Sequence, residues 1–227
     1  MEEPKEKLSA AELSRKYIDR HPSIRDCISK DLINYSSLSR LIMKETGVTN
    51  EEAVLAASRR YGMKLAKTDS EGAITSLFED SRLELKTKIG LVVAKNEWIV
   101  LRNLEQVVKK LLAEKSTMQV LQSTSAITVI SEDKHLATII DAIGRDHIMK
   151  VRENLGEITV KSPARIEETP GAFAFVMSML SEQGINLIEA VSCYTDTIFI
   201  VSRQDMMRAF DILSACIEDK IVPKNGP

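Results

Sequence analysis

The sequence predicts an α+β protein in which an N-terminal helical bundle precedes two ferredoxin-like βαββαβ units. Three observations predict it. Apolar residues recur at helical spacing in the first part, the period changes to strand alternation near Leu83, and one strand–helix order then occurs twice. The chain has 227 residues, 44% hydrophobic and 28% charged, which suffices for a sizeable core and excludes a disordered protein.

Residues 1–65 are predicted to form four helices. Ser9 and Glu12 have the capping-box spacing that begins the first helix. Gly47 is expected to end the third helix, and Thr49 is expected to cap the fourth. The apolar faces of these helices predict one compact helical domain.

Residues 66–81 are polar and weakly periodic, and they are predicted to be a linker. Two units are expected after it, residues 82–154 and residues 155–223. Strands are predicted at 83–89, 118–121, 127–131, 148–152, 158–161, 186–192, 198–202 and 220–222, and helices at 103–115, 133–143, 170–183 and 204–217.

Part of the repeat is visible in the letters. The stretch from Ile127 to Ser131 (ITVIS) matches the later stretch from Ile198 to Ser202 (IFIVS), and an apolar helix follows both. The spacing of the two stretches is that of whole small domains, so it predicts two such domains rather than a solenoid.

Composition argues against several classes of function. The formal charge is −2, so a strongly basic nucleic-acid-binding face is not indicated. No catalytic constellation, phosphate-binding glycine loop or metal-ligand spacing is present, so we expect a non-enzyme without metal or cofactor. Three distant cysteines and a charged start predict a cytoplasmic protein that does not enter a membrane.

The sharpest local motif runs from Glu168 through Thr169, Pro170 and Gly171 to Ala172. Proline suits the first position of a helix, and glycine lets another backbone or a ligand approach closely. Free amides at a helix start form a site for a carboxylate. The motif also fits a plain helix start, and the residues alone favour that interpretation.

The stretch from Ile158 to Ser202 resembles an ACT domain of the kind found in aspartokinase regulatory regions. The resemblance rests on a strand, the Thr-Pro-Gly turn, a helix ending in Glu182-Gln183-Gly184-Ile185-Asn186, and two further strands. The preceding unit is similar in element order only and lacks the Pro-Gly turn, so it is expected to be a degenerate ACT-like unit.

The resemblance implies a regulatory module that binds a small effector, usually an amino acid, between paired domains of a homodimer or higher oligomer. The implied ligand residues are the turn, and across the interface the start of the next strand of a neighbouring domain. They are Glu168, Thr169, Pro170, Gly171 and Ala172, with Asn186, Leu187 and Ile188.

Residues 38–61 resemble a helix-turn-helix. A recognition helix would present Arg59 and Arg60 to DNA, with Lys64 near a phosphate. Glu51 and Glu52 weigh against this interpretation because they place negative charge where base edges are usually read. A bundle for dimerisation or partner docking explains the same residues.

The sequence therefore predicts an amino-acid sensor with tandem ACT units coupled to a helical output module, for which DNA is one candidate partner. One alternative is an oligomeric ACT regulatory subunit that docks on a metabolic enzyme. The other is an ACT scaffold that binds no ligand.

Overall fold

The computed structural model describes residues 8–65 and 70–218. The chain divides into two compact units, residues 1–69 and 70–227, which we call the helical unit and the sheet unit. An α+β protein with an N-terminal helical part and an antiparallel sheet is confirmed.

The described part of the helical unit contains α1 (Ala10–Arg20), α2 (Pro22–Ser29), α3 (Tyr35–Thr46) and α4 (Glu51–Lys64). The Ser9 hydroxyl and the Glu12 carboxylate each accept from the other's backbone amide, so the capping box is confirmed. Asn50, not Thr49, caps α4, because its side-chain oxygen accepts from the Ala53 amide at 3.0 Å. The core is Tyr17, Ile18, Ile28, Leu38, Ile42 and Val54.

The sheet unit begins with a helix where the sequence predicts a linker. Helix α5 (Ser70–Glu79) buries Ile74, Leu77 and Phe78 in the main core of this unit. The prediction of a linker over 66–81 is therefore wrong for residues 70–79. The three buried apolar residues of α5 lie at helical spacing, but the polar residues around them hide that pattern in the sequence.

The rest of the sheet unit alternates strands and helices. In chain order these are β1 (Arg82–Lys95), α6 (Trp98–Ala113), β2 (Met118–Gln122), β3 (Ala126–Glu132), α7 (Leu136–Ile143), β4 (Ile148–Lys161), α8 (Ala172–Glu182), β5 (Leu187–Cys193), β6 (Asp196–Ser202) and α9 (Met206–Glu218). The strands form one antiparallel sheet in the order β2-β3-β1-β4-β6-β5. The strand predicted at 220–222 lies outside the described residues.

Two long strands join the halves of this sheet. Strands β1 and β4 have 14 residues each and pair along their whole length. Residues 89–95 of β1 also pair with β3, and residues 155–161 of β4 also pair with β6. The predicted boundary at 154/155 therefore falls inside one continuous strand, and each long strand belongs to both halves.

The backbone changes direction where each long strand passes from one half to the other. Lys88 on β1 has φ of +58°, and Asn154, at the equivalent place on β4, has φ of +57°. The β1–β4 register shifts beside Lys88. Left-handed residues of this kind occur in β-bulges, which bend a strand and increase its twist.

The sheet buries both of its faces. One face carries helices, α6 and α7 on the first half and α5, α8 and α9 on the second. The core on the other face contains strand residues and, among the described residues, no helical ones; its buried members are Ile89, Leu91, Ile130, Leu155, Ile198 and Ile200.

A contact between distant strands explains how a face without helices becomes buried. Strands β2 and β4 are three places apart in the sheet, about 14 Å if the sheet were flat. The Gln119 Nε2 of β2 nevertheless donates to Glu157 Oε2 of β4 at 3.2 Å. The sheet therefore folds over, and the helix-free faces of its two halves cover each other.

Glu157 is a buried charge at this junction. Its side chain is 1% exposed, and Lys86 Nζ lies 2.9 Å from its second carboxylate oxygen. Lys86 opposes Glu157 in the β1–β4 register, and Leu91 opposes Arg152. Strands β1 and β4 occupy equivalent places in the two halves of the sheet, so each residue of one strand has a counterpart on the other. Lys86 corresponds to Arg152, and Glu157 corresponds to the apolar Leu91.

We predict that Lys86→Met destabilises the fold by roughly 1–3 kcal/mol, because Glu157 then stays buried with only the Gln119 amide. Glu157→Leu should change stability little, since it restores the side chain that Leu91 places at the counterpart position. Urea unfolding measures both, with Lys150→Met, at an exposed lysine of β4, as the control. A larger loss in Glu157→Leu than in Lys86→Met would contradict this account.

Candidate functional site

The Thr-Pro-Gly turn connects β4 to α8. A short 3₁₀ helix (Ala164–Glu168) precedes it, and Gly171 is the residue before α8 with φ of +90°. This left-handed conformation favours glycine and cannot belong to a helix, so α8 begins at Ala172 and not at Pro170 as predicted. Pro170 and Gly171 are exposed, whereas Ala172 is buried.

The first turn of α8 leaves backbone donors at the protein surface. No side chain caps this helix end, and the first helical bond runs from the Phe175 amide to the Gly171 carbonyl. The Ala172 amide donates weakly to the Thr169 carbonyl at 3.3 Å. The amides of Phe173 and Ala174 precede the helical ladder, and they are the donors that an anion at this turn would meet.

Helix α5 supports the turn from behind. Arg165 Nη2 donates to the Ser76 carbonyl at 2.8 Å and lies 2.5 Å from Asp80 Oδ2. A side chain added at the exposed Gly171 would meet Ile74 Cδ1 at 3.4 Å, so α5 lies within van der Waals reach of position 171. The segment expected to be a linker is thus part of the wall of the candidate site.

The structure places the two predicted groups of ligand residues at opposite ends of β5. Leu187 and Ile188 lie at its start, and Asn186 precedes them. The end of β5, at Cys193 opposite Asp196, is the end nearer the turn. Six residue steps separate Leu187 from Cys193, about 20 Å. Within one chain, Asn186, Leu187 and Ile188 therefore do not meet Glu168, Thr169, Pro170, Gly171 and Ala172.

A cavity of about 300 Å³ lies between α8 and the strands near the turn. We call it the α8 pocket, and its lining residues are Phe173, Met177, Ala190, Val191, Ser192 and Thr197. None of them is charged. Sequence patterns do not identify this pocket, because alternating apolar residues on a helix and an edge strand also indicate an ordinary core.

Thr197 is the buried polar residue of the α8 pocket. It is 4% exposed, and within the described part of the chain its hydroxyl has no hydrogen-bond partner. Its neighbours in the register are Val160 on β4 and Ser192 on β5. This hydroxyl is not one of the fully buried unpartnered side-chain atoms of the described residues, so it is open to water or a ligand through the pocket.

The corresponding region of the first half-sheet is built differently. Asn96, which stands near the start of α6, donates to the Ser123 and Thr124 carbonyls and accepts from Gln122. A cavity of about 460 Å³ between α6 and β2 includes the ion pair of Glu105 and Lys109 in its lining. This groove therefore has charged walls, unlike the α8 pocket.

The residues predicted to contact DNA lie on α4. Arg59, Arg60 and Lys64 are exposed, and so are Glu51 and Glu52 in the first turn of the same helix. Both signs of charge are therefore present on the predicted recognition helix.

The described residues contain no group of three or more metal-ligating side chains. Burial raises the pKa of the Cys216 thiol to about 11, so that thiol stays protonated near neutral pH. None of the described helices has the length and hydrophobicity needed to cross a membrane.

Comparisons with known proteins give structural similarity alone. No protein-family model matches the sequence, and no curated protein matches it. Similar solved structures include the ligand-free regulatory subunit of aspartate kinase from Thermus thermophilus, with 9% identity, a TM-score of 0.48, and coverage of 60% of this chain and 97% of that chain.

The regulatory subunit of aspartate kinase from Thermus flavus is 12% identical with a TM-score of 0.47, covering 61% of this chain and 97% of that one. The aspartate kinase of Clostridium acetobutylicum is 14% identical with a TM-score of 0.49, covering 60% of this chain and 34% of that one. These identities and TM-scores do not establish membership of the aspartate kinase family.

Proposed function

We propose that the chain is a regulatory protein whose sheet unit binds an amino acid and whose helical unit transmits the response to a partner. The observation that carries this proposal is the uncapped start of α8 beside the α8 pocket and its unpartnered Thr197. In this proposal the protein is not an enzyme and needs no cofactor.

The strand order supports two ACT-type units. The order β2-β3-β1-β4 gives the first unit the ferredoxin-like arrangement, and β5-β6-β4-β1 gives the second unit the same arrangement. Gly90 and Gly156, at equivalent places on β1 and β4, each allow close approach of the second helix of their unit, α7 through Leu136 and α9 through Met206. The outer strand of the first unit is β4 and that of the second unit is β1, so both long strands belong to both units.

The turn supplies the chemistry for an amino-acid carboxylate. First-turn amides and the positive end of the α8 dipole attract an anion without a charged side chain. Glu168 is exposed beside the turn, and in this proposal it receives the ammonium group of the effector. Asn186, Leu187 and Ile188 contribute only from a neighbouring domain, because they lie at the far end of β5.

Helix α5 is the proposed coupling element. Its Ser76 carbonyl accepts from Arg165, which precedes the turn, and its Ile74 lies beside Gly171. Helix α5 also follows in the chain from the residues that lead out of the helical unit. An effector that binds one arrangement of the turn more tightly shifts the population of α5 positions. The size of the response is limited by the difference in affinity between the two arrangements.

The composition of α8 supports self-association. It carries no charged residue before Glu182, and Phe173, Phe175 and Met177 are each 38–39% exposed. A helix that is apolar on all sides is normally buried. The adjoining strand β5 is a sheet edge with unpaired backbone groups. We therefore propose a homodimer through α8 and β5.

The helical unit has two candidate partners. Exposed Arg59, Arg60 and Lys64 favour DNA, whereas exposed Glu51 and Glu52 favour a protein such as a metabolic enzyme. DNA is the primary proposal, and docking on an enzyme is the alternative.

Ligand binding is tested by thermal shift with the twenty amino acids. At a concentration of 100 Kd, a true effector should raise Tm by roughly 5–10 °C. Ala174→Pro removes one first-turn amide at an exposed position and should weaken binding about tenfold or more. Ala174→Ser keeps the amide and serves as its control. If no amino acid raises Tm, the chain is a scaffold and the proposal is wrong.

Light scattering tests assembly. The wild-type protein should have a mass of at least about 50 kDa at micromolar concentration, twice the 25.3 kDa of the chain. Phe175→Asp on α8 should shift it toward the monomer, because burying an unpaired charge is costly. Met207→Asp, at an exposed position of α9, should not. A monomeric wild-type protein would show that the dimer proposal is wrong.

DNA binding is tested with genomic fragments at low salt, with and without amino acids. Replacing both Arg59 and Arg60 with alanine should weaken binding and flatten its salt dependence, because fewer counterions are released. Arg208→Ala, at an exposed arginine of α9, is the control. Absence of affinity in the wild-type protein would reject DNA in favour of a protein partner.

A further inference from the structure

Strand β2 is an edge of the sheet that its own sequence leaves unprotected. It lies at the end of the strand order, and among the described residues it pairs only with β3. Its five residues, Met118–Gln122, include no charge and no proline. Proteins commonly place such residues on exposed edges, because they prevent pairing with another chain. The outer backbone groups of β2 are therefore suited to pair with a further strand.

The other exposed edges of the sheet carry charge. Strand β5, at the opposite end, contains Glu189. Residues 82–88 of β1 and 148–154 of β4 each pair on one side only within the described part of the chain. Both stretches contain lysine, arginine and glutamate. This contrast distinguishes β2 as the edge whose residues do not oppose pairing.

Helix α6 continues the apolar surface of β2. Leu101, Val108 and Leu112 of α6 line a groove of about 460 Å³ together with Met118 and Val120 of β2. Leu112 is 64% exposed and Val120 is 38% exposed. Apolar side chains this exposed on a helix and on the neighbouring sheet edge are typical of a surface that another chain covers.

The charges of this groove are self-complementary. Glu105 Oε1 and Lys109 Nζ lie 2.5 Å apart on the exposed face of α6. A two-fold axis midway between the two residues places an antiparallel copy of α6 so that Glu105 of each copy lies near Lys109 of the other. Opposite charges then meet across the interface, which favours a second copy of this chain as the partner.

Strand β2 is self-complementary about the same axis. Antiparallel pairing of two β2 strands about Val120 places Val120 beside its own counterpart and Met118 beside Gln122. No like charges meet, because the strand has none. Val120 lines the same groove as Glu105 and Lys109, so one axis can pass through the centre of the strand pair and of the helix pair.

We infer that β2 and α6 form an interface between two copies of the chain, in which the same surface of each copy meets and the β2 strands pair antiparallel. This interface is separate from the homodimer proposed through α8 and β5, and it does not depend on amino-acid binding. If both interfaces form, the assembly contains at least four copies, about 100 kDa, four times the 25.3 kDa of the chain.

Light scattering at micromolar concentration tests this interface with two matched pairs of variants. Val120→Lys places a charge on the edge of β2, and its control Val151→Lys places one on the edge of β4 at a position that is also 38% exposed. Leu112→Glu and its control Met149→Glu change positions that are 64% and 59% exposed. Val120→Lys and Leu112→Glu should each halve the mass, whereas both controls should leave it unchanged. Urea unfolding verifies that each variant is folded.

Cross-linking provides a readout that does not require loss of assembly. Val120→Cys should form a disulfide between copies beyond the wild-type level on oxidation, because opposed residues of antiparallel strands have Cα atoms about 4.5–5.5 Å apart. Val151→Cys is the control, and equal cross-linking in the two variants would contradict pairing about Val120. A monomeric wild-type protein, or an unchanged mass in Val120→Lys and Leu112→Glu, would overturn the interface. If those two variants lower the mass and Phe175→Asp does not, the interface of β2 and α6 is right and the dimer through α8 and β5 is wrong.

Discussion

The pairing of β1 with β4 is the interaction on which the rest of the sheet unit depends. Both strands run the full 14 residues, and each contributes one half of its length to each half of the sheet. If the strands of each half paired only with one another, the chain would form two independent sheets. Because the strands are shared, the two halves fold as one body, and the bends at Lys88 and Asn154 set how they meet.

The folding-over of the sheet decides which surfaces remain available for binding. The helix-free faces are buried against each other in a core of strand residues, so no ligand can reach them. What remains accessible is the helix-bearing side, with one groove beside α8 and another beside α6. The two grooves differ in chemistry, since the α6 groove has the Glu105–Lys109 ion pair and the α8 pocket has no charge. The two halves of the sheet therefore carry two unlike grooves.

Sequence reasoning finds most elements of this fold but not how they connect. The helical unit, the Thr-Pro-Gly turn and five of the six strands are predictable from spacing and capping residues. The pattern predicts two strands where β4 is continuous, because Glu153, Asn154 and Gly156 interrupt the apolar residues where the strand bends. The burial of Glu157 is equally hidden, since a carboxylate on a strand normally indicates the solvent face.

The candidate site is predictable only in part, for a physical reason. Glycine and proline mark a turn by their backbone preferences, and these are visible in the letters. Helix α5 and Thr197 join the site through tertiary packing between segments far apart in the chain, which no local pattern records. Asn186 precedes β5 as predicted, but the start of β5 is the end of that strand farther from the turn in the same chain.

Backbone NMR during a titration with the amino acid that raises Tm most tests the central claim most directly, because it reports on the turn, the pocket and α5 together. The account predicts that the largest amide shifts occur at Gly171, Phe173 and Ala174, with smaller shifts at Thr197 and along α5. Shifts confined to the α6 groove, around Leu101 and Val120, would contradict it, and so would saturable binding that leaves the amides of the turn unmoved.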